Sequence, residues 1–403
     1  MIEQGHHSAD PVGSQTAILP RGRGLVMLCD VDLDVPDATR THTVEVARGF
    51  VHAGLSVALV ARGRDPELAG VTYRAGDGAE HQKLRRLATI NFQAAVALWR
   101  RRSAADRFYV RDNWSCLPAI VVARLLGYRI VVQVDGIPYG PSAEDLPRAL
   151  DLIKRLVAIA TGRLARGQLA VTPEIKRLLI QLARVPEERV AVIPNGVDLE
   201  FFTPIPRAEA IERVGLDPNR RYLVFCGGFH PWSDFETMLA AFARVRSHRP
   251  ETTLILVGDG PERAHIEATA ERLEVAGDLL ITGMVERRER VRDYLAAATI
   301  TLLAYDADRV DRTSASPIKL TEYLAMGRAV VAVEIPGIRP LVSDSGAGLV
   351  VPGNPEALAD AIVELMTDDR ADRCGAAGRR LAEDRLSWGR VIERTLGLFE
   401  AQS

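Results

Sequence analysis

Residues 313–335 read TSASPIKLTEYLAMGRAVVAVEI: a loop of small residues, a helix opened by a proline, and an apolar run of buried-strand length. With Ser316 as the cap and Pro317 in the first helical position, the backbone amides of Ile318 and Lys319 lie at the positive end of the helix dipole, where an anion is stabilised. Lys319 and Glu322 share one face of this helix with Tyr323 beside them, while Leu320 and Leu324 turn to the core. Gly327 closes the helix just before AVVAVEI. A lysine offers a point charge suited to phosphate, and a carboxylate can take two sugar hydroxyls. The same pair also fits a surface ion pair on an ordinary capped helix, so the rest of the chain must decide.

Outward from this stretch, apolar runs alternate with helical spacing. LVMLCD (25–30), LSVALVA (55–61), FYVRD (108–112), YRIVVQVDG (128–136) and QLAVT (168–172) are separated by helical patterns that include 41–53, 118–126 and 145–166. That alternation predicts an α/β, doubly wound parallel sheet. After RVAVIPNGVD (189–198), prolines at 204 and 206 mark a hinge. A second series follows: YLVFCGG (222–228), TTLILVGDG (252–260), LLITGMV (279–285), TITLLAY (299–305), the opening helix and strand, and GLVVP (348–352). Helical patterns over 235–248, 261–274 and 287–297 lie between these runs, with two more over 355–366 and 371–386. Two Rossmann-like halves leave a cleft at the C-terminal ends of both sheets, and the opening helix starts at such a strand end.

With 403 residues, two or three domains are expected, and 47% hydrophobic with 26% charged residues describes a globular chain. A net charge of −2 gives no support to nucleic-acid binding. Only Lys83, Lys154, Lys176 and Lys319 are lysines among 51 basic residues, so a lysine in the opening helix is uncommon for this chain. Cys29, Cys116, Cys226 and Cys374 are far apart and form no zinc or disulfide pattern, which fits a reducing cytoplasm. No apolar run approaches a membrane span, and residues 1–23 read as a flexible tail without a signal-peptide apolar stretch.

Four segments, VIPNGVDLEFFTP (192–204), LVGDGPE (256–262), SPIKLTEYLAMGRAVVA (316–332) and LSWGRVIERTLGLFE (386–400), resemble family 4 retaining glycosyltransferases of the GT-B fold. The resemblance implies an N-terminal acceptor domain over 24–203 and a nucleotide-sugar domain over 204–385. It also implies a last helix, 386–403, crossing back to the first domain. It places Glu322 on the ribose hydroxyls of the donor and Lys319 near its diphosphate. Ser316, Pro317 and Ile318 fall in the same binding helix. Gly283, Met284 and Val285 resemble the loop against which the base rests, and Gly227 and Gly228 the turn that lets backbone approach phosphate. Three departures stand out: Ser233 and Ser314 where charged residues are common, and DVPDATRTH (34–42) where paired glycines are usual.

Cleaving the bond from an anomeric carbon to a diphosphate requires stabilising the leaving dianion and an oxocarbenium-like sugar. The resemblance implies no bound metal and no cofactor, so Lys319, the amides at 317–319, and an arginine such as Arg309 or Arg312 are the expected cations. His230 is a weaker candidate, a loop histidine that reads more readily as solvent-exposed. Asp135 stands where relatives often have a histidine at the donor sugar, and is taken here as a catalytic candidate with Lys319. Strand-end loops make Asp32, Arg111, Trp114 and Tyr139 the acceptor candidates, packing under the loops being the other role of Trp114 and Tyr139. Asp30, Asp32 and Asp34 form a D-x-D-x-D that could hold a divalent ion in another fold and here reads as a solvated loop at the cleft edge. Lys83, Arg85, Arg86 and Arg100, Arg101, Arg102 flank NFQAAVALW; relatives use such a patch to touch anionic membrane, and a solvated helix edge has the same composition.

The expected activity is transfer of a hexose-type unit from a nucleotide-sugar, a UDP-sugar foremost, to a carbohydrate, natural-product or lipid-linked acceptor. The expected setting is the cytoplasm, with peripheral contact at the inner membrane face as an option. A nucleotide-sugar epimerase of the same fold and a non-catalytic sugar-nucleotide-binding protein are the alternatives. The donor base, the acceptor and the oligomeric state are not readable from the residues.

Overall fold

A computed structural model describes residues 24–35, 37–76, 83–111, 114–136, 148–306 and 317–400. The expected tail, Ser316, Tyr139, Arg309, Arg312, Ser314 and the Trp114 side chain lie outside the described residues.

The first domain runs β1 (Gly24–Asp32), α1 (Ala38–His52), β2 (Val57–Arg62), β3 (Val71–Gly76), α2 (Lys83–Arg101), β4 (Ala105–Arg111), α3 (Leu117–Leu125), β5 (Arg129–Val134), α4 (Arg148–Leu164), β6 (Gly167–Ala170), α5 (Pro173–Leu182) and β7 (Val190–Val192). All seven strands are parallel, in the order β3-β2-β1-β4-β5-β6-β7. Val26 of β1 pairs with Ala58 on one side and Phe108 on the other. Leu25 to Cys29 are apolar without alternation and all fully buried, as a strand covered on both faces of its sheet requires.

The second domain runs α6 (Arg207–Val214), β8 (Arg221–Cys226), α7 (Phe235–His248), β9 (Thr252–Val257), α8 (Arg263–Arg272), β10 (Leu279–Ile281), α9 (Arg288–Ala297), β11 (Ile300–Leu303), α10 (Ile318–Ala325), β12 (Ala329–Val333), α11 (Arg339–Val342), β13 (Gly348–Val351), α12 (Pro355–Leu365) and α13 (Arg370–Leu381). Its six strands are also parallel, ordered β10-β9-β8-β11-β12-β13. The strand order reverses between β1 and β4 in one sheet and between β8 and β11 in the other, so each domain has a ligand crevice at its switch point.

The last helix, α14 (Trp388–Glu400), packs Trp388, Val391, Ile392, Leu396 and Phe399 into the first domain's core. Two crossing segments join the domains side by side: the Val197 amide donates to the Leu386 carbonyl (2.7 Å), and the Trp388 amide donates back to the Val197 carbonyl (3.3 Å). Val197 and Phe202 already belong to the second core, so the chain leaves the first domain before the prolines at 204 and 206.

Three further elements differ from the sequence reading. The helix read through 371–386 ends at Leu381, where a π turn over Ala382–Leu386 steers the chain into the crossing. Strand β3 is a short edge strand whose alternating pattern is too brief to stand out. Helix α5 has a readable signal: Thr172 caps it by accepting from the Ile175 amide (3.2 Å), with Pro173 in the first turn.

Candidate active site

Helix α10 enters from the β11 side of the second crevice and lies across the end of β8. Its start differs from the sequence reading: Pro317, at φ −67° and ψ 125°, is the cap and the helix begins at Ile318. The Leu320 amide donates to the Pro317 carbonyl (3.0 Å), leaving the Ile318 and Lys319 amides without partners inside the helix. Two buried hydroxyls fix this end in place. The Tyr323 phenol accepts from the Cys226 amide (2.8 Å) and lies 3.3 Å from the Cys226 carbonyl, binding α10 to the last residue of β8. The Thr321 hydroxyl lies 2.8 Å from the Ile318 carbonyl and 3.3 Å from that of Gly196 in the domain crossing.

Lys319 and Glu322 are partly buried, and among the described residues neither side chain makes a hydrogen bond or an ion pair. The ion-pair reading of the two is thus not what the structure has. The Lys319 ammonium sits 4.2 Å from the centre of the Phe225 ring and 5.6 Å from that of Tyr305, held by aromatic faces instead of a carboxylate. Burial lowers its pKa to about 8. Burial likewise pushes the Glu322 carboxyl up to about 7, against the nearby charges of Arg288 and Lys319. Charges left unpaired in a partly dry site are costly for the fold, and such a pair is a mark of a ligand site.

The β8 turn brings backbone to this ammonium. Gly227 has φ +140°, and a Cβ there would stand 2.7 Å from Lys319 Nζ. Gly258, φ +143°, follows β9 and packs so closely that its Cβ would meet the Gly227 carbonyl oxygen at 2.2 Å. Neither position accepts a side chain. At Gly228 a Cβ would come within 2.5 Å of His230 Nε2, so basic nitrogens stand over both glycines of the turn. His230 is stacked on Trp232 (ring centres 4.2 Å apart, planes 17°), not loose in solvent as the sequence suggested. Burial and the Lys319 charge hold its pKa below the usual histidine value. Ser233, which stands where a lysine is common, is buried with its hydroxyl unsatisfied among the described residues.

Beyond β9, the Thr282 hydroxyl lies within hydrogen-bond reach of the Gly258 amide (3.3 Å) and the Gly283 carbonyl (2.9 Å), knitting the base-loop candidates to the glycine turns. Met284 in this loop is 71% exposed and Val285 is partly buried. Two neighbours escape the sequence reading. Arg288, at the start of α9, stacks on Phe201 (4.1 Å to the ring centre) and lies 3.9 Å from Asp198, where its charge reaches Glu322. No local pattern joins residues so distant in sequence. Tyr323 reads from the sequence only as a neighbour on the helix face, although a buried phenol demands a partner.

Across the cleft, the first domain's strand ends carry a different kind of polar cluster. Arg111 Nε donates to Asp135, Arg111 Nη1 to the Thr39 carbonyl (3.2 Å), and Gln133 Nε2 to Asp135 Oδ1 (2.6 Å). Tyr109 donates in turn to Gln133. Burial raises the Asp135 carboxyl, but the Arg111 charge together with the hydrogen bonds from Gln133 and Arg111 holds it below its usual range. His42 is buried beside Gln133 (2.9 Å) and Trp388, and burial lowers its pKa to about 3, so it is neutral.

The D-x-D-x-D is only in part the solvated loop expected: Asp34 is exposed and Asp32 partly so, but Asp30 is not. Asp30 is buried against Arg62 (3.0 Å) and Arg86 (3.7 Å); Asp32 takes Arg62 (3.2 Å) and the Asp34 amide (3.0 Å); Asp34 takes Arg64 (3.1 Å). Arginines at the end of β2 occupy the acids, and among the described residues no cluster of three metal-ligating side chains forms. Asp32 retains part of its surface at the cleft, with one oxygen committed to Arg62.

Two parallel-sheet Rossmann-like domains, each with its strand order reversing at a switch point, define the GT-B class. Comparison with known sequences narrows this. Residues 39–201 match the model of "Glycosyltransferase Family 4" and residues 220–368 that of "Glycosyl transferases group 1". The chain belongs to the family 4 glycosyltransferases. It is 28% identical over 302 residues to the D-inositol 3-phosphate glycosyltransferase of Nocardia farcinica, covering 73% of this chain and 62% of the relative. Identity is 29% over 235 residues to the alpha-maltose-1-phosphate synthase of Mycolicibacterium smegmatis, 54% of this chain and 58% of that one. For the matching enzyme of Segniliparus rotundus, 29% identity covers only 49% of the relative, so the chain spans about half the length of some curated relatives it matches. In fold it is similar to sucrose-phosphate synthase from Thermosynechococcus elongatus, with a TM-score of 0.75 at 18% identity over 94% of this chain and 98% of the other. It is also similar to Anabaena Alr3699/HepE in complex with UDP-glucose, with a TM-score of 0.71 at 18% identity over 94% of this chain and 100% of the other.

Proposed function

We propose that the protein is a retaining glycosyltransferase that moves a hexose-type unit from a nucleotide-sugar, preferably a UDP-sugar, to a carbohydrate, natural-product or lipid-linked acceptor. The observation that carries this reading is Lys319: a desolvated ammonium without a counter-ion among the described residues, set against a glycine turn and a helix N-terminus. That arrangement is completed by a diphosphate. Glu322, one turn on and equally unpartnered among the described residues, takes the ribose hydroxyls, and the Gly283–Val285 loop takes the base. The UDP-glucose complex of the similarly folded Anabaena protein supports a nucleotide-sugar donor.

In this mechanism the anomeric C–O bond to the diphosphate breaks and the acceptor oxygen forms its bond on the same face, its proton passing to a phosphate oxygen of the leaving group. Lys319, the Ile318 and Lys319 amides and His230 stabilise the charge that develops there. Asp135, already holding Arg111 and Gln133, orients hydroxyls from the opposite wall and is not a free base. The test is a screen of UDP-, GDP- and ADP-hexoses by thermal shift, followed by NMR of the product in the presence and absence of EDTA. Expected are stabilisation by a UDP-sugar and a product of unchanged anomeric configuration in both conditions. An inverted product would overturn the retaining assignment, and activity lost with EDTA would overturn metal independence. UDP and epimerised sugar released without acceptor would replace transfer with epimerisation.

A further inference from the structure

Beside the second crossing between the domains lies a groove of about 490 Å³, lined by Asp384, Arg385, Arg390, Glu393 and Arg394. Its size is that of a small-molecule site. One wall is the π turn, whose Ala382 and Leu386 are buried in the core of the second domain. The other wall is the outer face of α14, whose Val391, Ile392 and Leu396 are buried in the core of the first. Both domains contribute to the groove, and no residue of the α10 site lines it. Interruptions of helix by a π turn recur at functional sites, and this one carries Asp384 and Arg385 to the groove.

The three arginines differ in what they hold. Arg390 donates to Glu393 (3.1 Å), an exposed pair one turn apart that satisfies itself. Arg394 donates through Nη2 to the carbonyl of Val192 (2.6 Å), the last residue of β7, and has no carboxylate partner among the described residues. The Arg385 side chain makes no hydrogen bond or ion pair among the described residues, and neither does that of Asp384. Burial and the Arg385 charge hold the Arg394 guanidinium below its usual pKa. Two guanidiniums thus share one cavity without an acid paired to either.

An anion between them removes their repulsion, and a phosphate suits the guanidinium fork through paired N–H···O bonds. The unpaired Asp384 carboxylate repels a second anionic group and accepts hydrogen bonds from hydroxyls. A groove of this volume also has room for more than a bare phosphate. We propose that it binds a small phosphomonoester bearing hydroxyl groups, its phosphate held by Arg385 and Arg394 and its hydroxyls by Asp384. The bound molecule bridges the two domains at their crossing. This site is separate from the nucleotide-sugar site and does not rest on that reading.

The test is isothermal titration calorimetry of sorbitol 6-phosphate, inorganic phosphate and sorbitol into the full chain at constant ionic strength. The wild type is expected to bind sorbitol 6-phosphate, to bind phosphate more weakly, and not to bind sorbitol. Arg385→Gln, which breaks no contact of the fold, should weaken both phosphates at least about tenfold while Tm stays unchanged. Asp384→Asn should narrow the gap in affinity between sorbitol 6-phosphate and phosphate. Failure of both phosphates to bind the wild type overturns the proposal. Wild-type affinity of Arg385→Gln for them does so too, since the anion then lies elsewhere. Equal binding of the two phosphates, or a gap that Asp384→Asn leaves unchanged, overturns the hydroxyl contact and with it the ligand class.

Discussion

The two walls of the cleft are both lined with charge, and they treat it in opposite ways. In the first domain Asp30, Asp32, Asp34 and Asp135 are each paired with an arginine of the same domain. In the second, Lys319 and Glu322 stand on one helix face with no ion pair between them. A closed network stabilises its own wall and offers only leftover donors and acceptors, whereas open charges wait for a ligand that supplies their partners. On the proposed reading, a charged diphosphate and a ribose would meet the second domain, and a hydroxyl-rich acceptor the first.

Replacing Lys319 with Ala should be the most damaging change, lowering kcat/KM by ~10²–10³-fold, the usual cost of removing one group that stabilises a developing oxyanion. Steady-state kinetics with the donor varied will show it, and a loss below about threefold would break the contrast. On the other wall, Arg62→Ala removes the arginine at 3.0 Å from the buried Asp30 carboxylate and leaves Arg86 at 3.7 Å. It should cost ~3 kcal/mol of stability in urea unfolding while nucleotide affinity stays at the wild-type value. A large loss of affinity instead would show that the walls are not separable.

The pH profile sharpens the same point. Glu322, raised to about 7, loses its carboxylate form as pH falls below that value, and Lys319, lowered to about 8, loses its charge as pH rises above it. The free-enzyme profile of kcat/KM should therefore peak between the two, falling ~10-fold per pH unit on either limb. A flat profile from pH 6 to pH 9 would contradict the unpaired state of both groups. Smallest is Tyr323→Phe, which removes a hydrogen-bond partner from the Cys226 backbone and should raise the donor KM ~3–10-fold with kcat nearly unchanged.

Much of the architecture is legible in the amino-acid sequence. The double alternation of strands and helices dictates two parallel sheets, because strands buried on both faces must read as unbroken apolar runs, as Leu25–Cys29 and Ala329–Val333 do. The glycines at 227 and 283 and the Lys319–Glu322 spacing are visible because local backbone geometry fixes them. What stays hidden is long-range. Nothing local tells that Arg62 closes on Asp30 or that Arg288 stacks on Phe201. Nor can spacing separate an ion pair from two unpaired charges on the same face, since both place Lys319 and Glu322 one turn apart. The crossing at Val197 is masked by the prolines that follow it, which draw the hinge later than the hydrogen bonds to Leu386 and Trp388 place it.

The most direct measurement is isothermal titration calorimetry of UDP into the wild type, Lys319→Ala and Glu322→Ala. If the α10 face is the donor site, the wild type binds and each substitution weakens binding by about tenfold or more, as expected for removing a charged hydrogen-bonding group. Binding of UDP with wild-type affinity by both variants would show that the open charges of the second domain serve something other than a nucleotide-sugar.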